Sequence, residues 1–199
     1  MIRKILRVCV GLEKRLRFRY YKIQSQWWGR VLSEKPFFGK DLLYQAPVRF
    51  RGRGTISIRD DVKFGYGDAP RFGDGHLLFQ ARDYRATIAV GERTAFSNNV
   101  SLLARKSIRI GDDCLIGECV QIVDSDFHGI APEVRHSSSG ESAVVTIGNN
   151  VWLGSRVIVM KGSHIGDNSI IGAGSVVIGS IPPGVIACGS PARVIRKLS

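Results

Sequence analysis

A histidine close to two carboxylates is the clearest candidate for chemistry in this chain. It lies in the run Asp124-Ser125-Asp126-Phe127-His128-Gly129. Histidine has the side chain whose unperturbed pKa lies nearest neutral pH, and a carboxylate within reach can orient its ring and stabilise the imidazolium. We therefore predict His128 as a general base supported by Asp124 or Asp126. The pattern does not choose between the two aspartates, and a lone loop histidine is also consistent with an ordinary surface residue.

The element that must position this run is a six-residue repeat of aliphatic residues. Glycine follows four of the repeated positions, and a small or β-branched residue stands four places after each of the first five. This period fits neither a helix nor a two-sided strand. It predicts an all-β fold, a parallel β-helix in which short strands stack coil upon coil and tight turns join them. The repeated residues are Ile147, Leu153, Val159, Ile165, Ile171 and Val177.

The same register occurs earlier in the chain and is broken once. It occurs at Ile110, Ile116 and Ile122, and before that at Val90, Phe96 and Leu102; Ile56 and Val62 suggest a still earlier coil. Residues 63–85 keep no clear register, and we interpret them as a degraded or loop-bearing coil. From Ile122 to Ile147 there are 25 positions, which is one repeat plus about nineteen residues. A long loop containing His128 is therefore expected at about residues 123–146.

The first 47 residues are predicted to form a separate, basic, amphipathic helical segment ahead of a β-helix domain at 48–197. Apolar residues three or four apart define one face, and basic residues surround them with Glu13 as the only nearby acid. The pattern predicts peripheral contact of residues 1–28 with an anionic membrane surface. A helix packed on its own oligomer is the alternative. The apolar face comprises Ile2, Ile5, Cys9, Leu12, Leu16, Tyr20, Ile23 and Trp27.

Composition narrows the classes of protein. The 199 residues suit one domain, and the net charge of +12 is concentrated at the N-terminus. Neither a signal peptide nor a membrane span is predicted, and no nucleic-acid-binding motif accompanies the charge, so we expect no nucleic-acid partner. The four cysteines lack metal-site spacing, which favours free thiols in a reducing compartment. Cys114, at a small inward position, is predicted to have a packing role.

The C-terminal half resembles the hexapeptide-repeat acyltransferases, and within them the galactoside, maltose and O-antigen or capsule O-acetyltransferase group. The resemblance covers about residues 88–197 and combines the loop histidine with a Trp-x-Gly-Ser run and a Pro-x-Arg-x-x-Arg run. It implies a left-handed β-helix, a homotrimer with active sites between adjacent subunits, and acetyl-CoA as co-substrate with no metal required. The matching segments are 147–162, 165–177, 181–185 and 189–196.

The resemblance also implies roles for individual residues. His128 matches the general base, and Asn98 or Asn99 lies near an active-site asparagine. Ser155 and Ala173, with Gly154 and Gly174 beside them, match positions whose backbone holds the pantetheine arm, and Trp152 lies in the same stretch. Arg193 and Arg196 match cations near the adenosine phosphates, and Lys161 is a further candidate phosphate contact. Ile178-Gly179 departs from the threonine and lysine of several members, which puts one phosphate contact in doubt.

We predict a cytoplasmic, acetyl-CoA-dependent O-acetyltransferase that acetylates a saccharide, free or lipid-linked, in bacterial surface-polysaccharide assembly. An amino-sugar N-acetyltransferase and a non-catalytic β-helix scaffold are the alternatives. A γ-class carbonic anhydrase would need three histidines with a spacing that His128 and His136 lack. The acceptor sugar, its hydroxyl and the acyl chain preference are not predicted.

Overall fold

The computed structural model describes residues 2–66 and 75–198, with only the backbone described for residues 2–11, 14, 34 and 35. It contains one α-helix, α1 (Ile2–Leu32), a short 3-10 helix (Pro132–Val134) and many short strands. The strands are β1 (Ser33–Phe38), β2 (Leu43–Tyr44), β3 (Val48–Ile58), β4 (Lys63–Phe64), β5 (Leu77–Ala81), β6 (Thr87–Val90), β7 (Ala95–Phe96), β8 (Ser101–Ala104), β9 (Ser107–Ile110), β10 (Leu115–Ile116), β11 (Gln121–Val123), β12 (Val145–Ile147), β13 (Trp152–Leu153), β14 (Ile158–Val159), β15 (His164–Ile165), β16 (Ile170–Ile171), β17 (Val176–Val177), β18 (Ser180–Ile181), β19 (Val185–Gly189) and β20 (Ala192–Lys197).

The strands form three faces of a prism, which confirms the predicted parallel β-helix. Face 1 contains β1, the second half of β3, β6, β9, β12, β15 and β18, and face 2 contains β2, β4, β7, β10, β13, β16, β19 and β20. Face 3 contains the first half of β3, then β5, β8, β11, β14 and β17. Every pairing is parallel except that of β19 with β20. β3 bends between the two faces at Gly52, where a Cβ would overlap the Ala81 carbonyl oxygen.

The core is a stack of inward-pointing side chains in register from coil to coil. On face 1, for example, Ile110, Ile147 and Ile165 lie on adjacent strands. All six residues of the C-terminal repeat are at most 2% exposed, as predicted from their spacing. Each coil therefore buries an apolar residue at every face, and stacking the coils makes the core continuous.

The segment 63–85, which keeps no aliphatic register, nevertheless contributes to complete coils. β4 and β5 pair with both neighbouring strands, and their inward positions hold Phe64 and Phe79. These rings pack against Phe50 and Phe96 with ring centroids 5.1 to 5.9 Å apart. The aliphatic pattern failed here because aromatic residues fill the core of the first coils. Residues 67–74 of this segment lie outside the described chain.

Small residues occupy the narrow inward positions. Ser163, Ser169 and Ser175 are buried, and each hydroxyl donates to a backbone carbonyl, at 3.0, 2.8 and 2.6 Å. Serine is tolerated there because its polar atom has a partner. Cys114 is also fully buried, its thiol lies 3.1 Å from the Gly148 carbonyl oxygen, and burial raises its pKa. These properties agree with a packing role.

The N-terminal helix is shorter than the predicted segment 1–47. It ends at Leu32, and residues 33–47 contain β1 and β2, which join the sheets. One side of the helix packs on the first coil, where the Val48 amide donates to Ser25 Oγ at 3.0 Å. Gly29 lies so close to this coil that a Cβ would be 3.0 Å from the Phe38 ring. Within the described residues, no helix combines the length and hydropathy that a membrane span requires.

Candidate active site

The break in the repeat is an ordered arm, residues 124–144 between β11 and β12. Its two sides are joined by a bridge between Ser125 and Ser142 and by the Asp126 amide donating to the Glu141 carbonyl at 3.0 Å. Further out, the Gly129 amide donates to the Ser138 carbonyl at 3.1 Å. His128 lies on this paired part of the arm and is exposed. The arm therefore presents an accessible imidazole from a backbone that is held on both sides.

Gly140 faces His128 across the arm. Its φ is +70°, and a Cβ there would overlap the His128 carbonyl oxygen. Both observations favour glycine, because other residues are strained in the left-handed region and no side chain fits. The position of the His128 backbone thus depends on a glycine that the sequence analysis did not identify.

Asp124 is used by the backbone of the preceding coil. Its side chain is fully buried, and its two oxygens accept the Arg105 and Lys106 amides, both at 2.8 Å. These bonds fix the turn between β8 and β9 directly beneath the arm. Among the described residues, no hydrogen bond joins Asp124 to His128.

Asp126 is paired with a lysine. Lys161 Nζ lies 2.6 Å from Asp126 Oδ2 and 3.2 Å from Glu141 Oε2, so one ammonium group bridges the two sides of the arm near its base. The hydrogen bond with Asp126 raises the pKa of Lys161, and that with Glu141 adds to the effect. Asp126, like Asp124, makes no hydrogen bond to His128 within the described chain. Lys161, a candidate phosphate contact, is placed at the base of the arm instead.

Two arginines that the sequence analysis missed support the arm from the coils below. The Arg82 guanidinium lies 4.6 Å from the centre of the Phe127 ring. Arg105 forms an ion pair with Asp83 at 2.9 Å and donates to the Ser139 carbonyl at 2.8 Å. These partners lie 22 to 45 positions apart in sequence, so no local pattern connects them. The arm, Lys161 and both arginines meet where face 3 turns into face 1, a region called here the loop corner.

Six of the remaining predicted site residues lie at a different corner, where face 2 turns into face 3, called here the ridge: Asn98, Asn99, Gly154, Ser155, Ala173 and Gly174. Backbone bonds connect its coils: the Cys119 amide donates to the Asn98 carbonyl at 3.1 Å and the Gly174 amide to the Ser155 carbonyl at 2.9 Å. Ser155 and Ala173 are exposed on adjacent coils. A Cβ at Gly154 would lie 2.6 Å from the Ala173 nitrogen, so the coils touch closely here.

The two candidate asparagines on the ridge differ in their environment. Asn98 is buried, and its amide group bonds the backbone of Tyr66 in both directions, at 3.2 and 3.3 Å. Asn99 has a φ of +61°, and its buried Nδ2 has no hydrogen-bond partner among the described residues. An unpaired buried donor is unusual and is often found where a ligand or water completes the structure. Asn99 is thus better placed than Asn98 to bind a ligand.

Trp152 lies beside the ridge on the outer surface of face 2. Its side chain is 51% exposed and stands in register between Leu115 and Ile170. An open groove of about 330 Å³ runs along this surface, lined by Trp152, Leu115, Ser97, Tyr66 and Lys63 among others. The groove offers an apolar surface next to the exposed ridge residues Ser155 and Ala173.

Arg193 and Arg196 lie on β20, at the last coil of face 2. β20 pairs antiparallel with β19, and both side chains are exposed. Their hydrogen bonds are local: Arg193 donates to the Ala192 carbonyl at 3.0 Å and Arg196 to the Lys197 carbonyl at 3.3 Å. Both guanidinium groups thus keep donors available for an anion.

Within one chain, His128 on the arm and the residues of the ridge lie apart. Asn99 immediately precedes the strands of face 3, and the arm follows them, since β8 and β11 are adjacent on that face. A strand of four residues is about 13 Å long, so the full width of face 3 separates the ridge from the loop corner. The imidazole and the ridge do not form one pocket in a single subunit.

No metal centre is evident in the described part of the chain. Residues 2–66 and 75–198 contain no group of three or more His, Cys, Asp or Glu side chains placed to hold an ion.

Comparison with known proteins places the chain in context. Residues 145–179 match the model of the family described as bacterial transferase hexapeptide (six repeats). The chain is 32% identical over 182 residues to a protein of Escherichia coli K12 named "Putative lipopolysaccharide biosynthesis O-acetyl transferase WbbJ", covering 84% of each. It is 40% identical over 116 residues to the galactoside O-acetyltransferase of the same strain, which is 58% of this chain and 57% of that protein.

A solved structure is also similar to this chain. A galactoside acetyltransferase in complex with coenzyme A matches with a TM-score of 0.61 and 33% identity, over 71% of this chain and 64% of that one. The chain spans little more than half the length of the galactoside O-acetyltransferase.

Proposed function

The chain belongs to the hexapeptide-repeat acetyltransferase family, and from this premise we propose that it transfers an acetyl group from acetyl-CoA to a hydroxyl of a saccharide. The observation that carries the proposal is the exposed His128 on an arm that is hydrogen-bonded on both sides. A general base must be both accessible and fixed, because proton transfer needs a short, defined contact with the acceptor hydroxyl. The named relatives act on galactosides and in lipopolysaccharide biosynthesis, which supports a saccharide acceptor.

The reaction proceeds by direct transfer in a ternary complex. The acceptor oxygen attacks the thioester carbonyl as His128 removes its proton, and a tetrahedral intermediate forms. The carbon–sulfur bond then breaks, the acetyl ester stays on the sugar, and CoA leaves as a thiol after taking the proton from the imidazolium. Asn99 Nδ2, a buried donor without a hydrogen-bond partner among the described residues, is suited to bind the acceptor or the developing oxyanion.

We infer that the active sites lie between the subunits of a homotrimer. The loop corner and the ridge lie on opposite sides of face 3 in one chain, so His128 and the ridge come together only if the arm of one subunit approaches the ridge of the next. Sedimentation equilibrium should give a trimer. Mixing His128→Ala and Asn99→Ala chains should restore activity above either variant alone, because some mixed interfaces then contain both native halves. A monomeric, fully active enzyme would contradict the shared site.

The ridge is proposed to bind the pantetheine arm and β20 the adenosine phosphates. Ser155 and Ala173 are exposed residues on adjacent coils, with Trp152 beside them and Arg193 and Arg196 exposed at the last coil. Replacing both arginines by glutamine should raise the KM for acetyl-CoA by about tenfold, since guanidinium–phosphate bonds are among the stronger hydrogen bonds. The KM for the acceptor should not change. An unaltered KM for acetyl-CoA would exclude this role.

The test of activity is thiol release from acetyl-CoA by the purified protein. Release should depend on adding a saccharide from a pool of monosaccharides, oligosaccharides, amino sugars and lipid-linked glycans. His128→Ala should lower the rate by about 10² or more while CoA binding persists, which is the effect expected for loss of a positioned base. His136→Ala, at an exposed histidine further along the same arm, is the matched control and should keep full activity. Release by neither the native chain nor the control, together with no CoA binding, would refute the proposal.

The outer side of α1 supports a further part of the proposal, peripheral contact with the inner face of an anionic membrane. Six apolar residues three or four apart form a stripe on the helix, each between 55 and 68% exposed. The stripe lies opposite Ser25 and Gly29, which pack on the coil, so the described residues do not cover it. Its residues are Leu12, Leu16, Tyr20, Ile23, Trp27 and Val31.

Charge complementarity favours a membrane over a second protein surface. Arg15, Arg19, Lys22 and Arg30 are exposed along one flank of the stripe, and Glu13 is the only acid in α1. An apolar stripe with aromatic residues and flanking cations is typical of helices that lie at the headgroup level. The predicted stripe also includes Ile2, Ile5 and Cys9, whose side chains lie outside the described residues. Contact of this kind would bring the enzyme to a lipid-linked acceptor in surface-polysaccharide assembly.

Vesicle sedimentation tests the membrane contact. The protein should sediment with vesicles that contain phosphatidylglycerol and much less with phosphatidylcholine alone, and 0.5 M salt should weaken binding, because exposed charges are screened at about that ionic strength. Leu16→Gln together with Ile23→Gln should abolish sedimentation without changing the trimer, whereas deletion of residues 1–28 would also remove the Ser25 contact. Unchanged binding by the double variant, or a changed oligomeric state, would assign the stripe to another role.

A further inference from the structure

A second cavity lies between α1 and face 3, at the first coil and away from the arm and the ridge. Its volume is about 330 Å³. Gln24, Trp28 and Leu32 form one wall, four residues apart on the helix, and β3 forms the other. The remaining lining residues are Pro47, Val48, Arg49, Phe50, Arg51 and His76.

The wall on the sheet side is cationic. β3 alternates between buried and exposed residues from Val48 to Arg51, so Arg49 and Arg51 project from the same outer surface. His76 directly precedes β5, whose Leu78 pairs with Arg49, and therefore lies diagonally beside it. None of the described residues that line the cavity is acidic. The guanidinium group of Arg51 in this concave site provides donors for a planar or tetrahedral anion.

The wall on the helix side adds apolar surface. Trp28 lines the cavity, is 43% exposed and stands edge-on to Trp27, with ring centroids 4.7 Å apart. Leu32 continues this wall. We propose that the cavity binds a phosphate ester: the phosphate contacts Arg51, and the organic group of the ester lies against Trp28.

The cavity lies beside the stripe on α1 and on the same face of the prism as the strand that leads into the arm. Trp28 follows Trp27 of the stripe, so the cavity opens at the edge of the helix surface that would lie at the headgroups. Arg51 pairs with Gln80 on β5, Gln80 pairs with Leu103 on β8, and Leu103 pairs with Val123 on β11. Val123 is the last residue before the arm. Three strand spacings are about 14 Å, which a short oligosaccharide can span. If the proposed transfer to a saccharide holds, this site is suited to the phosphate-linked end of its acceptor; phosphate binding itself does not depend on that reaction.

Direct binding measurements with two probes test the site. Glucose 1-phosphate represents a soluble sugar phosphate, and vesicles of phosphatidylcholine with phosphatidic acid represent a lipid headgroup. Calorimetry should show saturable binding of glucose 1-phosphate, no binding of glucose, and an affinity about tenfold lower in Arg51→Gln, as loss of one charge-assisted pair predicts. Arg109→Gln is the matched control, because Arg109 is an equally exposed arginine on the outer surface of β9 on face 1. Circular dichroism melts verify that both variants are folded.

Each outcome supports or overturns the proposed site, or identifies the source of the ester. Binding of glucose 1-phosphate that Arg51→Gln weakens and Arg109→Gln does not supports a soluble sugar phosphate. Binding only to the phosphatidic acid vesicles, with the same dependence on Arg51, supports a lipid headgroup. Absence of glucose 1-phosphate binding, with vesicle binding equal in both variants, would overturn the site. CoA binding and thiol release are measured on the same samples, so failure of the acetyltransferase proposal is recognised separately.

Discussion

Substitution of Asp124 by asparagine distinguishes a structural carboxylate from one that orients the His128 ring. Asp124 is 0% exposed and accepts the Arg105 and Lys106 amides at 2.8 Å each. Asparagine has nearly the same shape but only one acceptor oxygen, so its NH₂ group would face one of the two amides. One charge-assisted bond is lost and one buried N–H is left without a partner. Each of these effects is worth about 1 to 3 kcal/mol.

We expect the substitution to lower the free energy of unfolding by about 3 kcal/mol. For a domain of this size, about 1 kcal/mol shifts Tm by roughly 2 to 4 °C, which predicts a fall of about 6 to 12 °C. Thermal and urea unfolding measure the stability, and kcat is measured at a temperature where both proteins are folded. The kcat should fall only a few-fold, because Asp124 makes no hydrogen bond to His128 within the described chain.

Asp167→Asn is the matched control for Asp124→Asn. Asp167 also accepts a backbone amide, that of Asn149 at 2.7 Å, but it is exposed and makes a single bond of this kind, so its loss should change Tm by no more than about 2 °C. The reasoning is refuted if Asp124→Asn leaves Tm unchanged while kcat falls about 10²-fold. Asp124 would then support the imidazole in the working enzyme, and its bonds to the turn would be of little consequence.

Three further substitutions and modifications follow from the site. Gly140→Ala should lower kcat by about 10²-fold with little change in the KM for acetyl-CoA, because the new methyl group must displace the His128 backbone and small displacements of a catalytic group are costly; unchanged kinetics would show that the arm adjusts freely. Lys161→Gln should lower kcat and leave the KM for acetyl-CoA unchanged, since Lys161 pairs with Asp126 near the base of the arm; a selective rise in that KM would instead make Lys161 a phosphate contact. Cys114 should resist iodoacetamide at pH 8 until the protein is denatured, because its thiol is buried and its pKa is raised, and peptide mapping by mass spectrometry that finds early labelling would contradict this packing.

The parallel β-helix and the place of the arm could both be predicted from the chain alone. Each coil must bury one aliphatic residue per face, so the six-residue period is a local requirement that every turn repeats. The start of the domain was harder to locate, because Phe50, Phe64 and Phe79 fill the first coils and break the aliphatic pattern. The boundary between the helical segment and the coils was hard to place for a related reason: residues 33–47 have no repeat, yet β1 and β2 pair with strands of the coils.

The partners of the site residues were decided by the tertiary structure. Whether Asp124 reaches His128 or the turn beneath it depends on how the arm leaves the coil, and residues about one coil apart come into contact only once the coils are stacked. Lys161 and Asp126 are separated by 35 positions, and the inserted arm lies between them. The predicted role of His128 stays a prediction, as do those of the ridge residues.

The amino-acid sequence by itself determined the repeat, the position of the exposed histidine and the exceptional basic helix, because these follow from residue types at short, regular spacing. The three-dimensional arrangement decided that His128 and Asn99 lie at different corners of the prism, and that Arg49, Arg51 and His76 share a cavity with Trp28. The physical reason is that a solenoid brings residues together according to coil and face. The face or corner at which a residue lies depends on every insertion and corner that precedes it in the chain. Only the folded chain shows the combined result of these insertions and corners.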